Sequence, residues 1–176
     1  MSHYARLETP ANIRGDLTST GRVLLLDWLV GGKQIPQHIW IGMSLERLGD
    51  STTAQTLSSE VEPSYSSQLY PGAAAEILET GYKRQEYPFN AGADGVSWYS
   101  NAGGYYFNVS EIRFPRIPVN GTWPTVLSWF IATQEKRNEG DIIACGPTGE
   151  LPASPGDQII IPQGSLSLRV APLKVS

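Results

Sequence analysis

The segment Trp123–Ala132, "WPTVLSWFIA", decides how this chain is read. From Val126 to Ala132 only Ser128 is polar. A half-buried strand alternates apolar and polar side chains, because successive residues point to opposite faces. Here both faces are apolar, so both need cover, and the rest of the chain has to supply it.

The chain has 176 residues, enough for one domain or one domain with an arm. Folded, it can bury roughly 70% of its extended surface. The 18 glycines and 13 prolines exceed the roughly 12% average usage of the pair. Many turns, and hence many short strands, follow. The net charge of -4 leaves no basic face for nucleic acid or anionic lipid. The single cysteine, Cys145, can form no intrachain disulfide and sits in the apolar run "IIAC", where it reads as a small core residue. The opening "MSHYARLETP" carries no signal-type apolar stretch, and no apolar run is long enough for a membrane span. Asn108-Val-Ser110 and Asn120-Gly-Thr122 match the glycosylation pattern and are read as coincidental.

Outward from the double-faced strand, residues 1–15 read as an extended arm, with residues 16–176 forming a helix plus a β-sandwich. Tyr4, Leu7 and Ile13 are spaced along the arm like anchors for a neighbouring subunit. "DLTSTGRVLLLDWLVGG" predicts a helix over 17–30, capped by Asp16 or Thr18 and ended by Gly31-Gly32. Its wide apolar stripe predicts burial on more than one side. "HIWIGMSL" is a strand. Residues 49–80 read as a long polar loop, with a short helical turn at Ala73–Glu79. Then "GYKRQEYPF", "VSWYS" and "YYFNVSEIRF" read as strands, the last two flanking a turn at Asn101–Gly104. "DIIACG" pairs back on the double-faced strand across the charged turn 135–140. "DQIIIP" and "SLSLRVA" make a final hairpin around Pro162–Gly164, with Leu166, Leu168 and Val170 on a core face and Ser165, Ser167 and Arg169 in water. One helix followed by seven or eight strands suits an antiparallel sandwich.

Catalytic patterns are not matched. "GPTGELPASPG" lacks the lysine and helix of a phosphate loop, and no Gly-x-Ser-x-Gly elbow occurs. His3 and His38 lack a clustered carboxylate for a metal. Glu60/Glu62 and Glu76/Glu79 are paired acids in a polar loop, which reads as solvated charge; a two-carboxylate glycan hydrolase is the weakest alternative. Trp98, Tyr99, Tyr105, Tyr106 and Phe107 surround the 101–104 turn. They can pack in the sandwich, join a subunit interface or stack on sugar rings.

The order of these segments resembles a family of small tailed-bacteriophage virion proteins labelled tail fibre or tail-fibre-like. The carriers are "RVLLLDWLVGG", "IWIGMSL", "TGYKRQ", "NVSEIRFP", "WPTVLSWFI" and "SPGDQIIIPQGSLSLRV", collinear over roughly residues 20–171. Pro124 replaces the family's Gly after the Trp, and the segments 49–80 and 116–122 are longer than usual. The resemblance implies a non-enzymatic structural protein without cofactors, found in the virion after assembly in the host cytoplasm. Its place would be the particle exterior, as a tail accessory or capsid decoration protein. Other virion proteins would be its partners, in a homo-oligomer burying Trp123, Trp129 or Tyr106 between copies. A carbohydrate-binding module recognising a host glycan is the alternative.

Overall fold

The computed structural model describes residues 5–58, 75–77, 81–89, 98–100, 105–121, 123–137 and 139–169. The chain is mainly β. In order come β1 (Arg6–Glu8), β2 (Ile13–Leu17), α1 (Ser19–Leu29), β3 (His38–Ser44), α2 (Ala54–Ser58), β4 (Gln85–Pro88), β5 (Trp98–Ser100) and β6 (Tyr105–Asn108). They are followed by β7 (Ile112–Arg116), β8 (Val126–Ala132), β9 (Ile142–Leu151), β10 (Gln158–Ile161) and β11 (Leu166–Arg169). An eight-stranded sheet has the order β4-β3-β8-β9-β2-β11-β6-β5, and a three-stranded sheet the order β1-β10-β7. Both contribute to one hydrophobic core.

The sheets are mixed, not antiparallel throughout. β1 runs parallel to β10 and β2 parallel to β11, with Leu7 opposite Ile159 and Ile13 opposite Leu166. The N-terminal segment and the last two strands therefore travel side by side through both sheets. At the crossing between sheets the Thr9 and Ile13 amides donate to Ile160 O and Ser165 O, each at 2.9 Å. This overturns the arm. Arg6–Glu8 and Ile13–Leu17 are strands of the two sheets, and the expected boundary at residue 15 falls inside β2. It overturns the last hairpin too: β10 and β11 lie in different sheets, so the Pro162–Gly164 turn is a crossing between sheets. "YYFNVSEIRF" likewise divides, β6 to the large sheet and β7 to the small one.

The large sheet curls. β4 and β5 are its outermost strands, yet Tyr87 on β4 and Trp98 on β5 meet edge to face with ring centroids 5.4 Å apart. The Tyr87 hydroxyl accepts from the Val109 and Ser110 amides beyond β6, at 3.0 and 3.3 Å. Side chains thus close a seam between the sheet's two edges.

Both faces of β8 find their cover within the chain. Trp129 and Ile131 pair with Met43 and Ile41 and point, with Ile13 and Leu166, to the inside of the curl. Phe130 points the other way, where the Arg84 guanidinium lies 5.1 Å from its ring centroid. Ser128 accepts from the Leu48 amide at 3.2 Å. Phe114 of the smaller sheet stacks on Tyr82, and the rings of Tyr82 and Trp123 meet edge to face.

Three smaller expectations change. Ala75–Ile77 is not helical: Glu76 bridges Ser44 as an extra extended rung, and a helix missed in the polar loop, α2, offers Leu57 O to the Glu76 amide. Ser165 and Ser167 are buried, because β11 sits between β2 and β6 with cover on both faces. Val170 lies outside the described residues. Asn108 is fully buried, and its amide donates to Ser110 O and Pro162 O.

The helix follows two strands instead of opening the fold. Thr18 caps it: its hydroxyl accepts from the Gly21 amide at 2.9 Å and donates to Ile142 O. Gly21 is the buried residue of α1, since a Cβ there would lie 1.9 Å from Ile143 O on β9. The missing side chain lets the helix sit directly on the sheet.

Candidate functional site

Leu25 and Trp28 follow Gly21 on the sheet side at helical spacing, and Trp28 packs on Phe89 at 5.6 Å. On the opposite side Val23, Leu26 and Val30 are spaced three and four apart. Their exposures are 58%, 59% and 84%, and Leu29 at the margin is 68% exposed. This contradicts the expected burial of α1 on more than one side. The domain covers one stripe of the helix and leaves the other to water.

The charges on α1 are tied sideways. Arg22 pairs with Asp50, which also accepts from the Ser19 hydroxyl at 2.7 Å. Those two bonds, Ser19 first, hold the Asp50 carboxyl below its usual range. Asp27 pairs with Lys33, and its hydrogen bond raises the ammonium pKa. The outward stripe between the pairs is uncharged. Beside it, Leu25, Trp28 and Leu29 form one wall of a cavity of about 480 Å³ within the curl, whose other walls include Phe89, Trp98, Tyr106 and Leu168. Cavities of this size in the mouth of a curled sheet are common places for ligands and partner side chains.

A second polar centre lies behind Phe130. Glu76, expected to be solvated, is 1% exposed. Arg84 Nε and Nη2 donate to its two oxygens at 2.9 Å each, and Arg84 Nη1 donates to Gln134 O at 2.7 Å. Arg137 donates to the Glu76 carbonyl at 2.8 Å. The Tyr82 hydroxyl donates to Glu76 and accepts from the Met43 amide; burial first, and then the Glu76 charge, push its pKa well above the usual phenol value. This carboxylate clamps Ala75–Ile77, β4 and the 134–137 turn together. Glu79, expected to pair with it, and the other acid pair, Glu60/Glu62, lie outside the described residues.

The other expected site residues scatter. Trp123, Trp129 and Ile13, expected at an interface, are core residues of the chain, at 1%, 0% and 2% exposure. Leu7 is half-buried against the core. Tyr4 and His3 lie outside the described residues, and His38 is an exposed partner of Glu86. Cys145 is buried, and burial raises its thiol pKa. The aromatics around the 101–104 turn do not form one platform. β5–β6 register pairs Tyr99 with Phe107, stacked at 5.0 Å on one face, and sends Tyr106 and Trp98 to the other, into the cavity. Tyr105 stays with Phe107, flanked by Arg14 and Arg169 at 5.2 and 5.4 Å. Tyr99 and Tyr106 are 44% and 50% exposed.

Sequence reasoning found the helix and missed its bare side. A Val-Leu-Leu-Leu run looks the same whether both stripes are covered or one is. Among the described residues, no helix is long and apolar enough to cross a membrane, and no three His, Cys, Asp or Glu residues cluster as metal ligands. No family model matches the chain, and no curated protein matches it.

Proposed function

We propose that this protein is a non-enzymatic structural component of a tailed-phage virion, a β-sandwich module that docks on the exterior of the particle. The observation that carries the proposal is the outward stripe of α1. Val23, Leu26 and Val30 face water from a helix that is capped and seated on β9. An apolar face held this firmly, free of charge, is what a docking module presents. The collinear motifs from "RVLLLDWLVGG" to "SLSLRV" add the virion context. The buried Glu76–Arg84 pair has a structural use in joining loops to β8.

The test is quantitative mass spectrometry of purified particles. Peptides from 141–161 are expected in many copies per virion, and particles that lack them overturn the proposal. The carbohydrate-binding alternative rests on the stacked Tyr99–Phe107 pair. Glycan-array binding that Tyr99→Ala abolishes would favour it.

A further inference from the structure

We infer that the cavity between α1 and the inside of the curl is a binding site for a small, uncharged, apolar molecule, the size of roughly two or three fused rings or a ten-carbon chain. This space is separate from the docking face: Val23, Leu26 and Val30 are not among its walls.

The walls are already in place. Ile131, Ile143 and Leu168 of the large sheet form one side, and Leu25 and Trp28 of α1 lie across from them. Gly21 seats the helix against Ile143. Trp28 meets the Phe89 ring at 5.6 Å, and Tyr87 holds Trp98 at 5.4 Å. A site formed before its ligand arrives loses little affinity to ordering itself.

Size decides what kind of occupant fits. The cavity has a volume of about 480 Å³. An apolar cavity of roughly 150 Å³ is enough for benzene. The room here is about three times that, more than one side chain of a docking partner fills. It lies within the range of roughly 300–1,000 Å³ found for small-molecule sites, which are lined mostly by apolar and aromatic groups. Leu29 and Tyr106, 68% and 50% exposed, mark its open side.

Charge decides the chemistry of the occupant. Arg169 is the one charged residue among the described walls, and its guanidinium lies 5.4 Å from the Tyr105 ring, on the face of β6 opposite Tyr106. No charged side chain among the described residues is left to partner an ion inside, so an ionised ligand would lose its hydration without replacement.

Fluorescence titration of the full chain with N-phenyl-1-naphthylamine is the experiment, because this uncharged probe brightens in apolar surroundings. Saturable binding is expected, with a Kd on the order of 10 µM. The 8-sulfonate of the same probe, with the same rings and one negative charge, is expected to bind at least about tenfold more weakly. Leu168→Trp is expected to fill the cavity from the sheet and to weaken binding of the uncharged probe at least about tenfold, while thermal unfolding stays cooperative. Where that variant does not fold, Leu25→Trp fills the same space from the helix and is expected to give the same loss. A probe that stays dark with about 100 µM of the wild-type chain overturns the inference. So does equal or tighter binding of the sulfonate, or binding that both tryptophan variants leave unchanged. Loss of the signal in Leu26→Glu places the probe on the outward stripe and overturns it as well.

Discussion

Arg84 grips Glu76 side-on, with Nε and Nη2 each 2.9 Å from a different carboxylate oxygen and both side chains sealed from water. The pair sits where the Ala75–Ile77 rung, α2 and the turn after β8 converge. A two-point contact of this kind fixes orientation as well as distance.

Removing one partner leaves the other charge buried. Glu76→Gln or Arg84→Met is expected to cost about 3–5 kcal/mol, read from the denaturant midpoint. Replacing both with apolar residues is expected to cost much less than the sum of the singles. Additive losses would show that the two residues act independently.

Deleting residues 2–14 tests the N-terminal strands. The deletion removes β1 and the Ile13 end of β2, so it strips an edge strand from the small sheet and opens the middle of the large one. The truncated chain is expected to lose cooperative thermal unfolding. A deletion variant that keeps the full chain's melting profile would mean that these strands only decorate the sheets.

Gly21→Ala reverses an ordinary rule. In an exposed helix interior, alanine is favoured over glycine by about 1 kcal/mol. At position 21 the new methyl would meet Ile143 O and push α1 off β9. The variant is expected to lose about 2 kcal/mol or more in chemical denaturation. A variant more stable than the wild type would place the helix farther from the sheet.

What was legible in the sequence was local. The Val126–Ala132 strand, its pairing with the Cys145 strand, the helix after Thr18 and the β-rich composition each left a signal in adjacent residues. The failures are long-range. Parallel pairing of Ile13 with Leu166 has no turn to announce it, because the crossover is almost the entire chain. Ser165 and Ser167 alternate with leucines as in a half-wet strand, yet neighbours on both sides bury them. Glu76 looked solvated because the arginine that buries it is eight residues away and belongs to a different segment. At the candidate site, the cluster at Trp98–Phe107 was visible, but its division between two faces depends on register with β11.

The two ion pairs flanking α1 respond to opposite ends of the pH scale. Asp50 has a folded pKa below its unfolded value, because Ser19 and Arg22 stabilise the carboxylate. Its contribution is present above the unfolded value of about 3.9 and is lost as pH falls through the lower folded value. Lys33 has a folded pKa above its unfolded value through Asp27. Its contribution is present below about 10.4 and is lost as pH rises through the higher folded value. The start of α1 is therefore expected to loosen first in acid and the segment after it in alkali. Amide hydrogen exchange, corrected for intrinsic pH dependence, is the measurement. Protection at Arg22 and Val23 is expected to fall below about pH 4 while the β8 and β9 amides stay protected. Asp50→Asn is expected to flatten that acid step and leave the alkaline one at Lys33 unchanged. An acid step that persists in Asp50→Asn would assign it to another carboxylate.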